Sequence, residues 1–494
     1  MTGSETTSVD RTTAVHGDWV VAHDGDDHRI IKDGVVVYRG DTIIHVGTGW
    51  DGHADEVVKG RRRLVIPGLI STHTHLRINE GYRMVLDGGR RNFLRSGFTN
   101  YAGKKAEGGP TFLAPSDPAE AAQFCLATHL LAGVTTILEM DDGRPDGGET
   151  VASLAGQCGI RMFYAPAFSA ADYRFASDGR LQQHWDENAG IEGLERACDF
   201  LERHRGDAEG RLSGILVLNE FFASTPDLRR RTREAATRLG VPITTHFSEQ
   251  LYEFHHTLRE TGMTPVQLLD HEGFLGPDVV LGHAIYLGGH SMTAYPFPGD
   301  LETIAASGAS VAHSPVAYAR RGFALESFQR YVDHGINMSL GTDTFPTDLI
   351  SEMRMAAIVG KVLERNNEVP AARDVFRAAT TGGAKALGRP DIGRLAEGAK
   401  ADITIVDFDN LTIGPVVDPI RALVYSGTGD MVDRVIIDGR TVVAGKRLVM
   451  WDQDALLDTA WSNAQKVWDG FSRYHWAGQS VEETFPPSFS SWTG

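Results

Sequence analysis

The chain has 494 residues, more than one hydrophobic core usually serves, so one large domain with a smaller companion is expected. Its 48 basic and 65 acidic residues leave a formal net charge of −17, which argues against nucleic acid or an anionic membrane surface as partner. A composition of 41% hydrophobic and 23% charged residues excludes a disordered or fibrous chain.

Three cysteines, Cys125, Cys158 and Cys198, lie far apart with no CxxC spacing, which argues against a disulfide framework or a thiolate metal cluster. The first 18 residues are polar, with neither a basic start nor an apolar core. No apolar run approaches the roughly 18 residues of a membrane span. A soluble, cytoplasmic protein is expected.

In chain order, residues 20–58 read as short alternating strands broken by turn pairs such as Asp33-Gly34 and Gly40-Asp41. Residues 401–449, with Asp438-Gly439, read the same way. Segments 1–64 and 389–450 are therefore expected to form one small β-sandwich domain from both chain ends. Between them, β-branched apolar runs occur at 64–75, 134–140, 160–168, 214–220, 241–249, 279–287, 309–315 and 337–343. Helical stretches such as 118–132, 226–240, 264–274 and 324–335 separate most of them. Eight buried strands alternating with helices predict a (β/α)8 TIM-like barrel over 65–388. An open doubly wound sheet is the competing fold, but no glycine-rich dinucleotide fingerprint follows the first strand. Residues 451–494 hold five of the eight tryptophans. Leu457, Trp461, Ala464 and Trp468 share a helical face, which predicts docking on the barrel or on a second copy in a homo-oligomer.

The chemistry begins at His73-Thr74-His75, at the end of an apolar run. Side chains two apart on a strand share a face, so both imidazoles can reach one cation at the mouth where barrels carry their sites. Alone, the pair fits a capped strand equally well. His246, His283 and Asp343 also close strand-like runs, and that recurrence at separate strand ends is hard to explain as packing. Glu249, three residues after His246, is placed to pass protons beside a metal-activated water.

Further segments complete a pattern: Val65-Ile66-Pro67-Gly68-Leu69, Ala132-Gly133-Val134-Thr135-Thr136, His313-Ser314-Pro315, Gly341-Thr342-Asp343, Ala384-Lys385-Ala386-Leu387-Gly388 and Gly398-Ala399-Lys400-Ala401-Asp402. With the histidines and Glu249, the sequence resembles the amidohydrolase superfamily. The resemblance is to the branch holding cytosine deaminase, the adenosyl-type deaminases and the chlorotriazine hydrolases, and it spans nearly the whole chain. It implies that His73, His75, His246 and Asp343 hold one divalent metal ion, with zinc ahead of iron, cobalt and manganese. It also implies that His283 orients water and substrate, that Glu249 shuttles protons and that Asp343 helps activate the water. Binuclear relatives use a carboxylated lysine at the end of the fourth strand; residues 215–222 contain none, leaving Glu220 and Glu139 as the groups able to bridge a second ion.

The pattern departs from the deaminases after His313-Ser314-Pro315, where Val316-Ala317-Tyr318 replaces a Ser-Asn pair. The long insertion 76–114 is expected to fold over the pocket. Arg77, Tyr164, Phe168, His313 and Tyr318 are the candidate substrate contacts, with Tyr286 and Phe345 further members of an aromatic wall and Arg320 and Arg321 further cations. The expected reaction is hydrolysis of a C–N bond at an sp2 carbon of a small molecule, of deaminase or aminohydrolase type. Amide, urea or carbamate hydrolysis competes with it. A non-enzymatic scaffold on the same fold is the third reading, against which the complete ligand set stands.

Overall fold

The computed structural model describes residues 11–76, 79–87, 103–109, 117–140, 148–176 and 178–492. The eight apolar runs contain eight parallel strands: Leu69–Thr74, Val134–Glu139, Arg161–Phe163, Leu216–Glu220, Ile243–Phe247, Val279–His283, Ser310–His313 and Asn337–Leu340. The first three pair in chain order, with Leu212–Ser213 at the edge of their sheet, and the last five pair in chain order in a second sheet. Nearly every residue of these strands is buried, as expected of parallel strands covered on both faces.

Backbone contacts link the two sheets at both edges. On one side the Phe168 amide donates to Val217 O at 3.1 Å and the Asn219 amide to Phe168 O at 2.9 Å. On the other, the Asp343 amide donates to His73 O at 3.0 Å and the His75 amide to Asp343 O at 2.9 Å. A hydroxyl ladder reinforces this second seam: Thr72 Oγ1 lies 2.7 Å from Ser339 Oγ, and Ser71 Oγ accepts from the Thr342 amide at 3.1 Å. The seam joins residues about 270 positions apart and sets Asp343 beside the two histidines.

Gly341 makes this approach possible. A Cβ there would stand 2.5 Å from His73 Cβ and 2.8 Å from His73 O, closer than atoms pack. Gly341→Ala is therefore expected to cost about 1–3 kcal/mol of stability and to weaken metal binding by displacing His73. Denaturant unfolding and a metal titration check this, and wild-type values in both would contradict it.

The run 64–75 proves to be two strands in two sheets. Arg63–Pro67 pairs antiparallel with Ile403–Asp407 and parallel with Trp19 and Val20, while Leu69–Thr74 enters the parallel sheet. The break falls at Gly68, whose amide donates to Asp402 O at 2.9 Å and where a Cβ would meet Thr135 Oγ1 at 2.1 Å. Arg63–Pro67 thus belongs to a nine-stranded mixed sheet drawing strands from both chain ends. Its hydrogen bonds run in one path from Arg447–Leu448 to Thr42–Gly47, with Glu56–Val58 paired to the side of Thr12–His23.

Arg161 joins this sheet to the parallel strands. It is 1% exposed, and its guanidinium donates to both Asp402 oxygens at 3.1 and 3.2 Å and to Asp438 Oδ1 at 2.6 Å. The C-terminal helix Gln453–Tyr474 docks on the helix Pro118–Leu131 and on the short turn Asn79–Tyr82. Trp468 Nε1 donates to Gly81 O at 3.0 Å, and Asn463 Nδ2 to Glu120 Oε2 at 2.6 Å. Among the described residues, no helix is long and apolar enough to cross a membrane.

Candidate metal centre

His73, His75 and His246 converge at the ends of the first and fifth parallel strands, each offering one ligand atom within 4.8 Å of the others. His75 Nε2 and His246 Nε2 stand 3.1 Å apart. Two nitrogens on one ion at the zinc–imidazole distance of ~2.1 Å stand roughly 3.0–3.4 Å apart, so this spacing suits a shared cation. His246 Nδ1 donates to Asn219 O at 2.5 Å, which leaves the Nε2 lone pair for a metal. His73 is fully buried, and neither of its ring nitrogens has a hydrogen-bond partner. Such an orphaned imidazole is costly unless a cation takes its lone pair.

His283 and Asp343 complete the ring of groups. The His283 ring centroid lies 4.3 Å from that of His73, and its Nδ1 has no hydrogen-bond partner. Asp343 Oδ1 lies 3.7 Å from His75 Nε2. His283 and Asp343 have φ values of 78° and 55°, and Ser248, beside Glu249, has 48°. Left-handed backbone at three strand ends turns side chains toward a common point and is sparsely populated by non-glycine residues. Burial, then the neighbouring imidazoles, push the pKa of His73 and His283 well below the usual histidine range. Both rings are therefore neutral, the form that ligates metal.

Glu249 is buried beside this cluster. Burial raises its carboxyl pKa, His246 and Arg321 draw it down, and Asp343 pushes it up. Its loop is fixed from behind by Glu253, whose carboxyl accepts the Ser248 amide at 2.8 Å and the Glu249 amide at 3.0 Å. Burial lifts Glu253 to about 8.

Of the other sequence-derived candidates, Tyr318 and His313 stay close to the cluster. Tyr318 is buried with its ring 4.7 Å from that of His283. His313 is buried on the strand between those of His283 and Asp343, and burial holds it near 3. Tyr164 and Phe168 point elsewhere: Tyr164 packs edge-on against Phe200, and Phe168 packs under Gly193, both on the helix Glu187–Arg203. Arg77 lies outside the described residues. Arg320 stacks 3.9 Å over Phe345 and donates to Thr344 Oγ1 at 2.7 Å, while Arg321 donates to the Tyr82 hydroxyl at 2.7 Å. Tyr286 packs edge-on against His290. Glu139 accepts the Leu76 amide at 3.0 and 3.1 Å, which fixes the chain just after His75. Glu220 has one carboxylate oxygen without a partner, and burial lifts it to about 7.

Two supporting residues were not singled out in the sequence. One is Glu253. The other is His129, whose Nδ1 donates to Cys125 O at 2.8 Å and whose Nε2 lies 3.0 Å from Thr74 Oγ1 and 2.9 Å from Thr342 Oγ1. It thereby ties the residue between the two histidines to the residue before Asp343. Thr342→Val removes the hydroxyl that meets His129 and Thr74 and is expected to weaken metal affinity by roughly 10–100-fold. Metal competition titration checks it, and wild-type affinity would contradict the role.

The chain is 28% identical over 441 residues to a 5'-deoxyadenosine deaminase of Methanosarcina mazei, covering 88% of this chain and 94% of the relative. It is 28% identical over 428 residues to a 5-methylthioadenosine/S-adenosylhomocysteine deaminase of Thermococcus sibiricus, covering 85% and 91%. Among solved structures it matches a triazine hydrolase variant with a TM-score of 0.76 at 23% identity, over 92% of this chain and 100% of that one. It also matches a zinc-bound adenosine deaminase of Xanthomonas campestris with a TM-score of 0.75 at 21% identity, over 92% and 98%. These structural likenesses establish a shared TIM-like α/β fold. Because the model of the amidohydrolase family matches residues 64–442, which carry every group of the histidine cluster, the chain belongs to that family and is a hydrolase of C–N bonds other than peptide bonds.

Proposed function

We propose that this protein is a hydrolytic deaminase that removes an amino group from an sp2 ring carbon of an aminopurine or similar heteroaromatic small molecule. The observation that carries the proposal is the buried Glu249 carboxyl set among His246, Asp343, Arg321 and Tyr318 beside the histidine cluster. The names of the two deaminase relatives support this substrate class.

In this reading His73, His75, His246 and Asp343 hold one divalent cation, zinc by preference. When bound, it acts as a Lewis acid that lowers the pKa of water and polarises the substrate. Glu249 takes a proton from the attacking water and returns it to the departing nitrogen. Asp343 accepts a hydrogen bond from the same water, and neutral His283 orients it toward the ring carbon. Tyr318 closes the wall beside His283, and His313 lies alongside. The two parallel sheets are taken to close into a (β/α)8 barrel through the seam at Asp343, and the nine-stranded sheet to fold into a sandwich. The chain is taken to work as a cytoplasmic homo-oligomer.

The test is to incubate the zinc-loaded protein with 5'-deoxyadenosine, an aminotriazine, a simple amide and urea while measuring ammonia. Ammonia released in step with loss of the amino-heteroaromatic absorbance is the expected result. Turnover of the amide or urea alone would overturn the deaminase reading while leaving the hydrolase intact.

A further inference from the structure

A second pocket lies away from the histidines, where the C-terminal helix Gln453–Tyr474 crosses the turn Asn79–Tyr82 and the helix Pro118–Leu131. It is a cavity of about 110 Å³ lined by Glu80, Arg83, Phe124, Trp461 and Trp468, with small apolar neighbours. Glu80 is 2% exposed, and neither of its carboxylate oxygens has a hydrogen-bond partner. A carboxylate in that condition is among the costliest groups a fold can bury, and native structures seldom leave one without a counter-charge.

Among the described residues, none pairs with that charge. Arg83, three residues on, holds its guanidinium 5.6 Å over the Phe124 ring and makes no ion pair with Glu80. Asp117 and Glu120 add negative potential, against which Lys466 is the opposing charge. Lys466 Nζ donates instead to Asn463 Oδ1 at 3.1 Å. The Trp468 indole N–H is already given to Gly81 O, so that residue offers the pocket its ring. Trp461 is 66% exposed and leaves the mouth open to solvent.

We propose that this pocket binds a small organic cation, an alkylammonium or methylated ammonium group, with its charge on Glu80 and its alkyl surface against Phe124, Trp461 and Trp468. Aromatic rings around a carboxylate are the chemistry that recognises such cations, and Arg83 over Phe124 shows the same attraction within the chain. The volume, below the ~150 Å³ that accepts benzene in an engineered cavity, limits the ligand to a few heavy atoms. Burial, with Asp117 and Glu120, lifts the Glu80 carboxyl to about 7, so binding should strengthen as pH rises through neutrality and the carboxylate forms.

The test is a titration of the full chain with tetramethylammonium and ethylammonium chloride at constant ionic strength, followed by tryptophan fluorescence, with tert-butanol as the neutral match. Wild type is expected to respond saturably to one or both cations and not to tert-butanol. Glu80→Gln and Trp461→Ala are expected to bind at least about tenfold more weakly. Wild-type affinity should fall about tenfold between pH 8 and pH 6. If Glu80→Gln does not fold, Trp461→Ala, altered at a largely exposed side chain, carries the comparison. No saturable response to either cation, an equal response to tert-butanol, or unaltered binding by the folded variants would each overturn the proposal.

Discussion

Replacing Glu249 by glutamine is expected to lower turnover by roughly 100-fold to 10,000-fold while leaving the metal content unchanged. Glutamine keeps the shape of the side chain and removes its ability to accept and return a proton. The Glu249 amide is held by Glu253, so the loop should stay in place, and the histidine cluster does not include Glu249. The pH profile gives a second readout. Burial raises the Glu249 carboxyl above its ordinary 4.5, so as a base it should impose an acidic limb on the rate above that value. The limb should vanish in Glu249→Gln, because no group remains to be deprotonated there. Parallel metal analysis and steady-state kinetics check the prediction, and wild-type turnover in the variant would contradict the proton-transfer role.

Arg161→Met is expected to destabilise the protein by about 3–5 kcal/mol. The arginine is buried between Asp402, itself 2% exposed, and Asp438, and losing it strands two carboxylates of the β sheet against the parallel strands. Arg211, whose Nη1 is 3.6 Å from Asp438 Oδ2, can cover only part of that charge. The measurement is the shift in denaturant midpoint, with a double-mutant cycle in which Asp402→Asn removes part of the stranded charge. The second substitution should recover part of the loss. A shift below about 1 kcal/mol would show that water reaches the junction and relieves the charge.

The eight parallel strands were legible because strands buried on both faces must be apolar throughout, and each run contains its strand. The same property hid the break at Gly68. Continuous hydrophobicity cannot tell which of two sheets a residue joins, and the deciding contact is with Thr135. That the histidines, Glu249 and Asp343 lie together was legible because ligand-type residues recur at strand ends.

Parity explains what became of the aromatic wall. Tyr164 and Phe168 share one side of an extended segment and face the helices, whereas Phe163 and Ala167 cluster with Ile70, Ile215 and Val217 on the other side. His129 and Arg161 could not be read from sequence, since an isolated histidine on a helix and an arginine on a strand have bland readings there. Their meaning comes from partners 213 and 241 residues away. The C-terminal helix and its docking on the barrel region were legible, but it docks through Ala460, Asn463, Ala464, Val467 and Phe471, while Leu457 and Trp461 of the expected face stay exposed.

Hydrolysis at this site is expected to depend on a divalent cation held by His73, His75, His246 and Asp343. The most direct test is to measure bound metal per chain and ammonia release on the same preparations of wild type, chelated and reloaded wild type, and His75→Ala. About one ion per wild-type chain is expected, with most of it lost in His75→Ala and activity following metal content through removal and reloading. Full turnover in the metal-free protein, or wild-type metal content in His75→Ala, would contradict it.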